Sequence, residues 1–290
     1  MVYIILVNYN GCEDTIECVQ SLSEMDYEEY RIVVVDNGSS DDSLEKLNLI
    51  RNDKIIVIDA QMNLGFSGGN NVGINYALEH GAEYILLLNN DTIVQKNFLR
   101  ELVCTAREYD NKAVITSKIL YAFDEKSIWY AGGIFNSITS RTSSIGIHEL
   151  DEGQYDICKV VSFVSGCCMF IPVGIIREVG LMSEEYFLYC EDTDFCCRIM
   201  KKGYQLVYQP SSVIFHKVSA STTKLNELMN YYIVRNKLIM VRKHIRLRYK
   251  GVAYGYVIAE SIKRIIGKEY SFSAVAKAFN HFRKGIRGRV

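Results

Sequence analysis

Three acids, Glu191, Asp192 and Asp194, crowd the stretch YFLYCEDTDFCCR. Neighbouring carboxyls raise one another's pKa, which suits one of them to take a proton near neutral pH. They also fall where a loop enters a helix, and negative side chains at a helix N-terminus have a purely structural account. A second constellation, YILLLNNDTIV, ends an apolar run on Asn89, Asn90 and Asp91. A carboxylate at the end of a buried strand can hold a divalent cation that bridges two phosphates. Mg2+ takes oxygen ligands, and Mn2+ accepts an imidazole as well. The two amides can donate to ribose or diphosphate oxygens. The plainer alternative is a capping Asp ahead of a helix that begins near Gln95. His216 closes another strand, between Phe215 and Lys217, where an imidazole is either structural or a ligand. Asp36, followed by Asn37-Gly38-Ser39-Ser40, is placed to meet a ribose or base edge, or to shape a turn. NLGFSGGNNVG (63–73) precedes a helix, so its amides either make a tight turn or cradle phosphate. Its glycines miss the G-x-G-x-x-G spacing of a dinucleotide fingerprint.

These side chains need a scaffold that brings them to one edge. Continuous apolar runs at 3–7, 31–37, 55–60 and 84–88 read as buried strands. Helices follow to about Ser23, from Ser40 or Asp41, and over 70–81, closed by Gly81. That alternation predicts an α/β fold with a mostly parallel central sheet flanked by helices. Ligands of such sheets sit beyond the carboxyl ends of the strands, where Asn8, Asn10, Asp36, Asp59 or Asn63, and Asn89 to Asp91 fall. From 112 to 165 short strands and Gly/Ser-rich turns suggest a mixed segment able to wall a pocket. The stretch VSFVSGCCMFI resumes a buried strand. QLVYQPSSVIFHK reads as a strand, a turn at Pro210 and a second strand ending at His216. Beyond about 222 the chain looks helical.

With 290 residues, 49% hydrophobic and 23% charged, the chain suits one large domain, or one domain plus an extension. It contains no apolar run long enough to span a membrane, and MVYIILVNYNG reads as a first strand rather than a signal peptide. A cytoplasmic protein is expected. Nine cysteines, an odd count with adjacent pairs 167–168 and 196–197, read as buried free thiols. Charge is unevenly spread. Residues 241–290 hold thirteen Lys/Arg and two acids, a surplus of eleven, which leaves twelve excess negative charges on residues 1–240. Tyr254, Val257, Ile258, Ile262, Ile265 and Ile266 fall at helical spacing beside Lys263 and Arg264, the pattern of an interfacial helix on an anionic membrane. An ordinary helical bundle is the alternative, and no recognised motif supports nucleic acid.

The ordered set VNYNG, VVVDNGSSDDS, NLGFSGGNNVGI, YILLLNNDT, SGCCMFI, FLYCEDTDFCCR and the His216 strand resembles family 2 glycosyltransferases of the GT-A fold. The likeness is greatest to the rhamnosyltransferase-like branch that builds cell-surface polysaccharides, and it covers roughly residues 3–240. It implies a catalytic domain over 1–220 and a basic helical extension over 221–290. The implied donor contacts are Asn8, Tyr9, Asp36, Asn63, Asn70, Asn89 and Asn90. The family's D-x-D motif falls on Asn89-Asn90-Asp91, where only the last acid remains. Asp91 with His216 would hold Mn2+ or Mg2+, and Asp192, beside Glu191, occupies the place of the catalytic base. The implied reaction is an inverting transfer from a UDP- or dTDP-sugar, rhamnose among the candidates, to a saccharide or polyprenyl-linked acceptor. It would take place on the inner face of the membrane. Two other readings stay open. A nucleotidyltransferase would want a basic Gly-rich signature after the first strand, where Asn8-Tyr9-Asn10-Gly11 stands with no Lys or Arg before Arg31. A non-catalytic sugar-binding scaffold is favoured by Asn89 and opposed by the intact Glu191-Asp192 pair.

Overall fold

The computed structural model describes residues 1–218 and 227–290. The chain opens with β1 (Val2–Asn8), α1 (Cys12–Ser23), β2 (Tyr30–Asp36), α2 (Ser43–Leu49), β3 (Ile55–Asp59), α3 (Gly65–Glu79) and β4 (Tyr84–Leu88). β1 lies between β2 and β4, parallel to both, and β3 adds in parallel outside β2. All of β4 is buried, as are Ile4 to Leu6 and Ile32 to Val35, which accounts for apolar runs without alternation. One expectation shifts here. The third helix begins at Gly65, not at 70, so the glycine-rich stretch is its first turns. Glycine is required there by close approach. A Cβ on Gly69 would sit 2.7 Å from Val7, and one on Gly73 2.5 Å from Ile5, both on β1.

The second half is β5 (Thr92–Val94), α4 (Phe98–Glu108), β6 (Ala113–Tyr121), β7 (Asp124–Tyr130), β8 (Gly133–Asn136), β9 (Arg141–Ser144), β10 (Lys159–Val161), β11 (Cys168–Pro172), α5 (Val173–Val179), α6 (Glu191–Lys201) and β12 (Gln205–His216). The sheet runs β10-β12-β6-β11-β4-β1-β2-β3, with β5 against β12 and β7 against β6. β11 enters antiparallel to both β4 and β6, so the sheet is parallel on the β3 side and mixed on the other. Pro210 does not break the chain into two strands. β12 is continuous, and its pairing with β6 absorbs the proline by a register shift between Gln209 and Val213. Nor does a helix follow Asp91 directly. Thr92 to Val94 pair with β12 first, which removes the capping account of that acid.

The remaining helices are α7 (Glu227–His244), α8 (Leu247–Ile266) and α9 (Phe272–Lys284). They share a core of their own, in which Tyr231, Val234 and Leu238 of α7 meet Ala253, Val257, Ala274 and Ala278. The expected apolar face of α8 therefore divides. Val257 is buried and Tyr254 and Ile265 pack on this core, while Ile258, Ile262 and Ile266 face outward with Leu247. α7 is bolted to α6 through the fully buried Asp194, which meets Arg198, Lys243 and His244 at 2.8, 3.0 and 2.7 Å. Burial pushes the Asp194 carboxyl up, but the hydrogen bonds from His244, Arg198 and Lys243 override it and hold the group well below its ordinary range. The boundary expected at 220/221 lies outside the described residues. All nine cysteines are free; six are buried, while Cys104 and Cys158 are exposed, contrary to the uniform burial expected. No described helix is long and apolar enough to cross a membrane.

Candidate active site

A cleft of about 940 Å³ opens at the carboxyl ends of β1, β2 and β4. Its wall carries Tyr9, Asn63, Asn70, Asn89, Asn90, Asp91 and His216, seven of the residues singled out from the sequence. β12 runs antiparallel to β5, pairing His216 with Thr92, so the imidazole arrives beside the acid that precedes β5. His216 Nε2 lies 3.1 Å from Asp91 Oδ1 and 3.5 Å from Asn89 Nδ2. The Trp129 ring stands edge-on to the imidazole at 4.6 Å, and His216 Nδ1 is buried without a hydrogen-bond partner among the described residues. Two converging donors of oxygen and imidazole type fit a divalent cation that completes its shell with phosphate oxygens and water. No group of three or more such side chains gathers among the described residues.

Two expected donor contacts stand behind the wall instead of on it. Asn8 and Asp36 are almost fully buried, and Asn8 Nδ2 donates to Asp36 Oδ1 at 2.9 Å. Asp36 also accepts from the Ser39 amide and hydroxyl at 3.0 and 2.6 Å, and Thr15 donates to Asn8 Oδ1 at 2.9 Å. This network sets the two loops that present Tyr9, Asn10 and Asn37 to the cleft. Asn37 in turn donates to Gly65 O at 3.1 Å and accepts from the Leu64 amide at 3.0 Å, which fixes the entry of α3. Asn90 is oriented by its bond to Thr15 at 2.8 Å.

Glu191 and Asp192 open α6 after a strained approach. Phe187, Tyr189 and Cys190 all adopt left-handed φ angles, of 67°, 69° and 72°, a conformation unusual for residues other than glycine. The loop is held from α7. Asn236 donates to the carbonyls of Tyr186, Leu188 and Tyr189 at 3.0, 2.6 and 2.8 Å, and the buried Arg235 donates to Tyr186 O at 2.8 Å. Asp192 Oδ2 accepts from the Gly166 amide at 3.2 Å and Oδ1 from Thr193 at 2.6 Å. Gly166 packs on Phe66, which lines the cleft. On the other side Cys190 and Thr193 line a second pocket of about 210 Å³, between residues 139–142, where the chain turns into β9, and α7 and α8. Burial raises both carboxyls. For Glu191, pushed well up, the charge of Asp192 adds to the effect, whereas for Asp192 the Gly166 and Thr193 bonds pull partly back.

Comparison with known proteins identifies the family. Residues 3–180 match the Glycosyl transferase family 2. The chain belongs to that family. This family 2 glycosyltransferase is 30% identical to the low-salt glycan biosynthesis hexosyltransferase Agl10 of Haloferax volcanii, over 81% of its own length and 74% of that protein's. It is 26% identical to the dTDP-rhamnosyl transferase RfbF of Shigella flexneri, over 84% and 80%. Its fold is that of GalNAc-T7 crystallised with UDP, GalNAc and Mn2+, with a TM-score of 0.66 at 15% identity, covering 99% of this chain and 58% of that one. The fold is GT-A. Two residues of the site carry little signal in the sequence. Trp129 stands out there only as the chain's single tryptophan. Asn37 has the character of an ordinary turn residue, since only the fold brings it against α3.

Proposed function

We propose that this chain is an inverting glycosyltransferase that moves a sugar, rhamnose among the candidates, from a UDP or dTDP donor to a hydroxyl of a saccharide or polyprenyl-linked acceptor. The reading rests on one observation above all, the convergence of Asp91 and His216 on a cleft also lined by Phe66, behind which Gly166 donates its amide to Asp192. The names of RfbF and GalNAc-T7's bound ligands support dTDP and UDP as donor classes. Tyr9, Asn63 and Asn70 would line the donor, with Asn8 and Asp36 fixing the loops behind it. Asn89 and Asn90 would donate to ribose or diphosphate oxygens. A divalent cation, Mn2+ or Mg2+, would be held by Asp91 and His216 and would supply positive charge against the departing diphosphate.

Asp192 takes the proton of the acceptor hydroxyl, its carboxylate steadied by the Gly166 and Thr193 donors. The acceptor oxygen forms its bond to the anomeric carbon as the bond to the diphosphate oxygen breaks, and that oxygen leaves with the electron pair. One displacement inverts the centre, and no protein nucleophile is needed. The smaller pocket beside Cys190 and Thr193 would admit the acceptor. The site would work on the inner face of the cell membrane, in polysaccharide synthesis, with the basic residues 241–290 toward the lipid. A second reading, a sugar-nucleotide-binding scaffold without catalysis, is favoured by Asn89 standing where an acid is usual.

The test is donor turnover with dTDP-rhamnose and UDP-sugars, with Mn2+ or Mg2+ and with chelator. Asp192→Asn is expected to lower transfer by about 100-fold or more while donor affinity stays near wild type. Transfer left intact in Asp192→Asn would remove the base assignment. Tight UDP or dTDP binding with no turnover in the wild type would favour the scaffold.

A further inference from the structure

The wall of the large cleft is poor in positive charge. Its charged side chains are Asp14, Asp91 and Arg289, so among the described residues Arg289 is the one Lys or Arg that faces the space. It comes from residues 285–290, a strap beyond α9 and far outside the matched segment 3–180. The left-handed Gly285 turns the chain out of α9, and the left-handed Gly288 turns it again toward the cleft.

The strap is held at each step. The buried Arg235 donates to Gly288 O at 2.8 Å, and Gly288 N donates to Glu185 O at 2.8 Å. Arg287 pairs with Glu185 at 3.1 Å, and Val290 N donates to the Tyr232 hydroxyl at 3.0 Å. A guanidinium is costly to bury unless its donors are all used, so the placement of Gly288 is specified and not incidental. At the end of this support, Arg289 spends a single hydrogen bond among the described residues, 3.0 Å to Asn63 O, with its guanidinium 5.9 Å from the Phe187 ring. It makes no ion pair among the described residues. Its other N–H groups remain available over a cleft whose other charged side chains are Asp91 and Asp14, the latter paired with Lys217 at 2.7 Å.

We infer that Arg289 binds the phosphate of the nucleotide donor, closing the cleft with a charge-assisted contact from the strap. The inference rests on the donor reading above. A diphosphate brings at least two negative charges into a cleft that already holds Asp91, and a planar fork of N–H donors matches phosphate oxygens. It also gives α7 a second task. Arg235 fixes both the strained loop before Glu191 and the strap, so the loop bearing the candidate base and the donor contact are set by one buried side chain.

Calorimetric titration of the full chain with UDP, dTDP, uridine and thymidine separates the possibilities. Arg289→Ala is expected to weaken UDP and dTDP binding about tenfold and to leave the nucleosides unchanged, with Arg289→Lys recovering part of the loss. Arg283→Ala, an exposed cation of α9 away from the cleft wall, should bind like wild type, and equal melting temperatures exclude a folding defect. Equal affinity of Arg289→Ala and wild type for the diphosphates would overturn the inference while leaving the donor reading in place. An equal loss for nucleoside and diphosphate would overturn it too, since the contact would then be to the base or ribose. Wild type that ignored both diphosphates would overturn the inference together with the reading beneath it.

Discussion

Two adjacent carboxyls meet very different surroundings at the start of α6. Asp192 is half-buried and receives bonds from Gly166 and Thr193, while Glu191 is 7% exposed and its Oε2 has no hydrogen-bond partner among the described residues. Burial first, and the neighbouring Asp192 charge second, push Glu191 well above its ordinary value of 4.5. The consequence for stability has a definite sign. A carboxyl whose folded pKa exceeds its unfolded one contributes stability in acid, and that contribution is lost as pH rises through the folded pKa. Glu191→Gln cannot ionise, so it should melt several degrees above wild type at pH 8, with the gap closing below about pH 4.5. Thermal melts across pH check this, and a gap that widened in acid would contradict it. That the two acids belong together was legible from EDTD alone. Which of them is steadied as an anion was not, because the Gly166 amide comes from a turn 26 residues away in sequence.

The element that most shapes the cleft is α3. Its first residue, Gly65, has φ +73°, and a Cβ there would lie 2.3 Å from Phe187 O, the carbonyl that accepts the Phe66 amide at 2.9 Å. Gly65→Ala therefore meets both a left-handed backbone and a backbone clash, and should cost about 3 kcal/mol or more. Gly81 offers the comparison, with φ +77° and no described atom within 4 Å of an added Cβ. Its alanine variant should cost roughly 1 kcal/mol, the conformational penalty alone. Urea denaturation of the two variants measures the difference, and similar losses would mean that the Phe187 contact relaxes without cost. The strands and the order of helices were readable because period and burial are local properties of the chain. The start of α3 was not, since a run of glycines has low helix propensity and here becomes helical through packing on β1 and the strained 187–190 loop. β12 departs from its sequence pattern for a related reason. Proline at 210 is a sound turn signal, yet pairing with β6 on both sides carries the strand through.

Across the whole molecule, the twelve excess negative charges of residues 1–240 stand against eleven excess positive charges in residues 241–290. A basic face is needed neither for the α7–α9 core, which is apolar, nor for α7's hold on Asp194, which takes only Lys243 and His244 from this region. α8 shows what remains after that packing is satisfied. Leu247, Ile258, Ile262 and Ile266 are 85%, 44%, 51% and 77% exposed, in a helix that also carries Arg248, Lys250 and Lys263. Apolar side chains standing in water among cations match an interfacial helix resting on anionic headgroups, where each basic residue near the surface contributes about 1 kcal/mol. The full chain should therefore co-sediment with vesicles containing phosphatidylserine and not with pure phosphatidylcholine. Binding should fall as salt rises, because the attraction is screened over about a Debye length. The double variant Ile258→Ser, Ile262→Ser should weaken binding with no loss of melting temperature, since neither side chain is buried. Binding indifferent to lipid charge would leave the basic surplus without this role. Binding sensitive to charge but not to the serines would place the contact on the cations alone, with α8 above the headgroups and not among them.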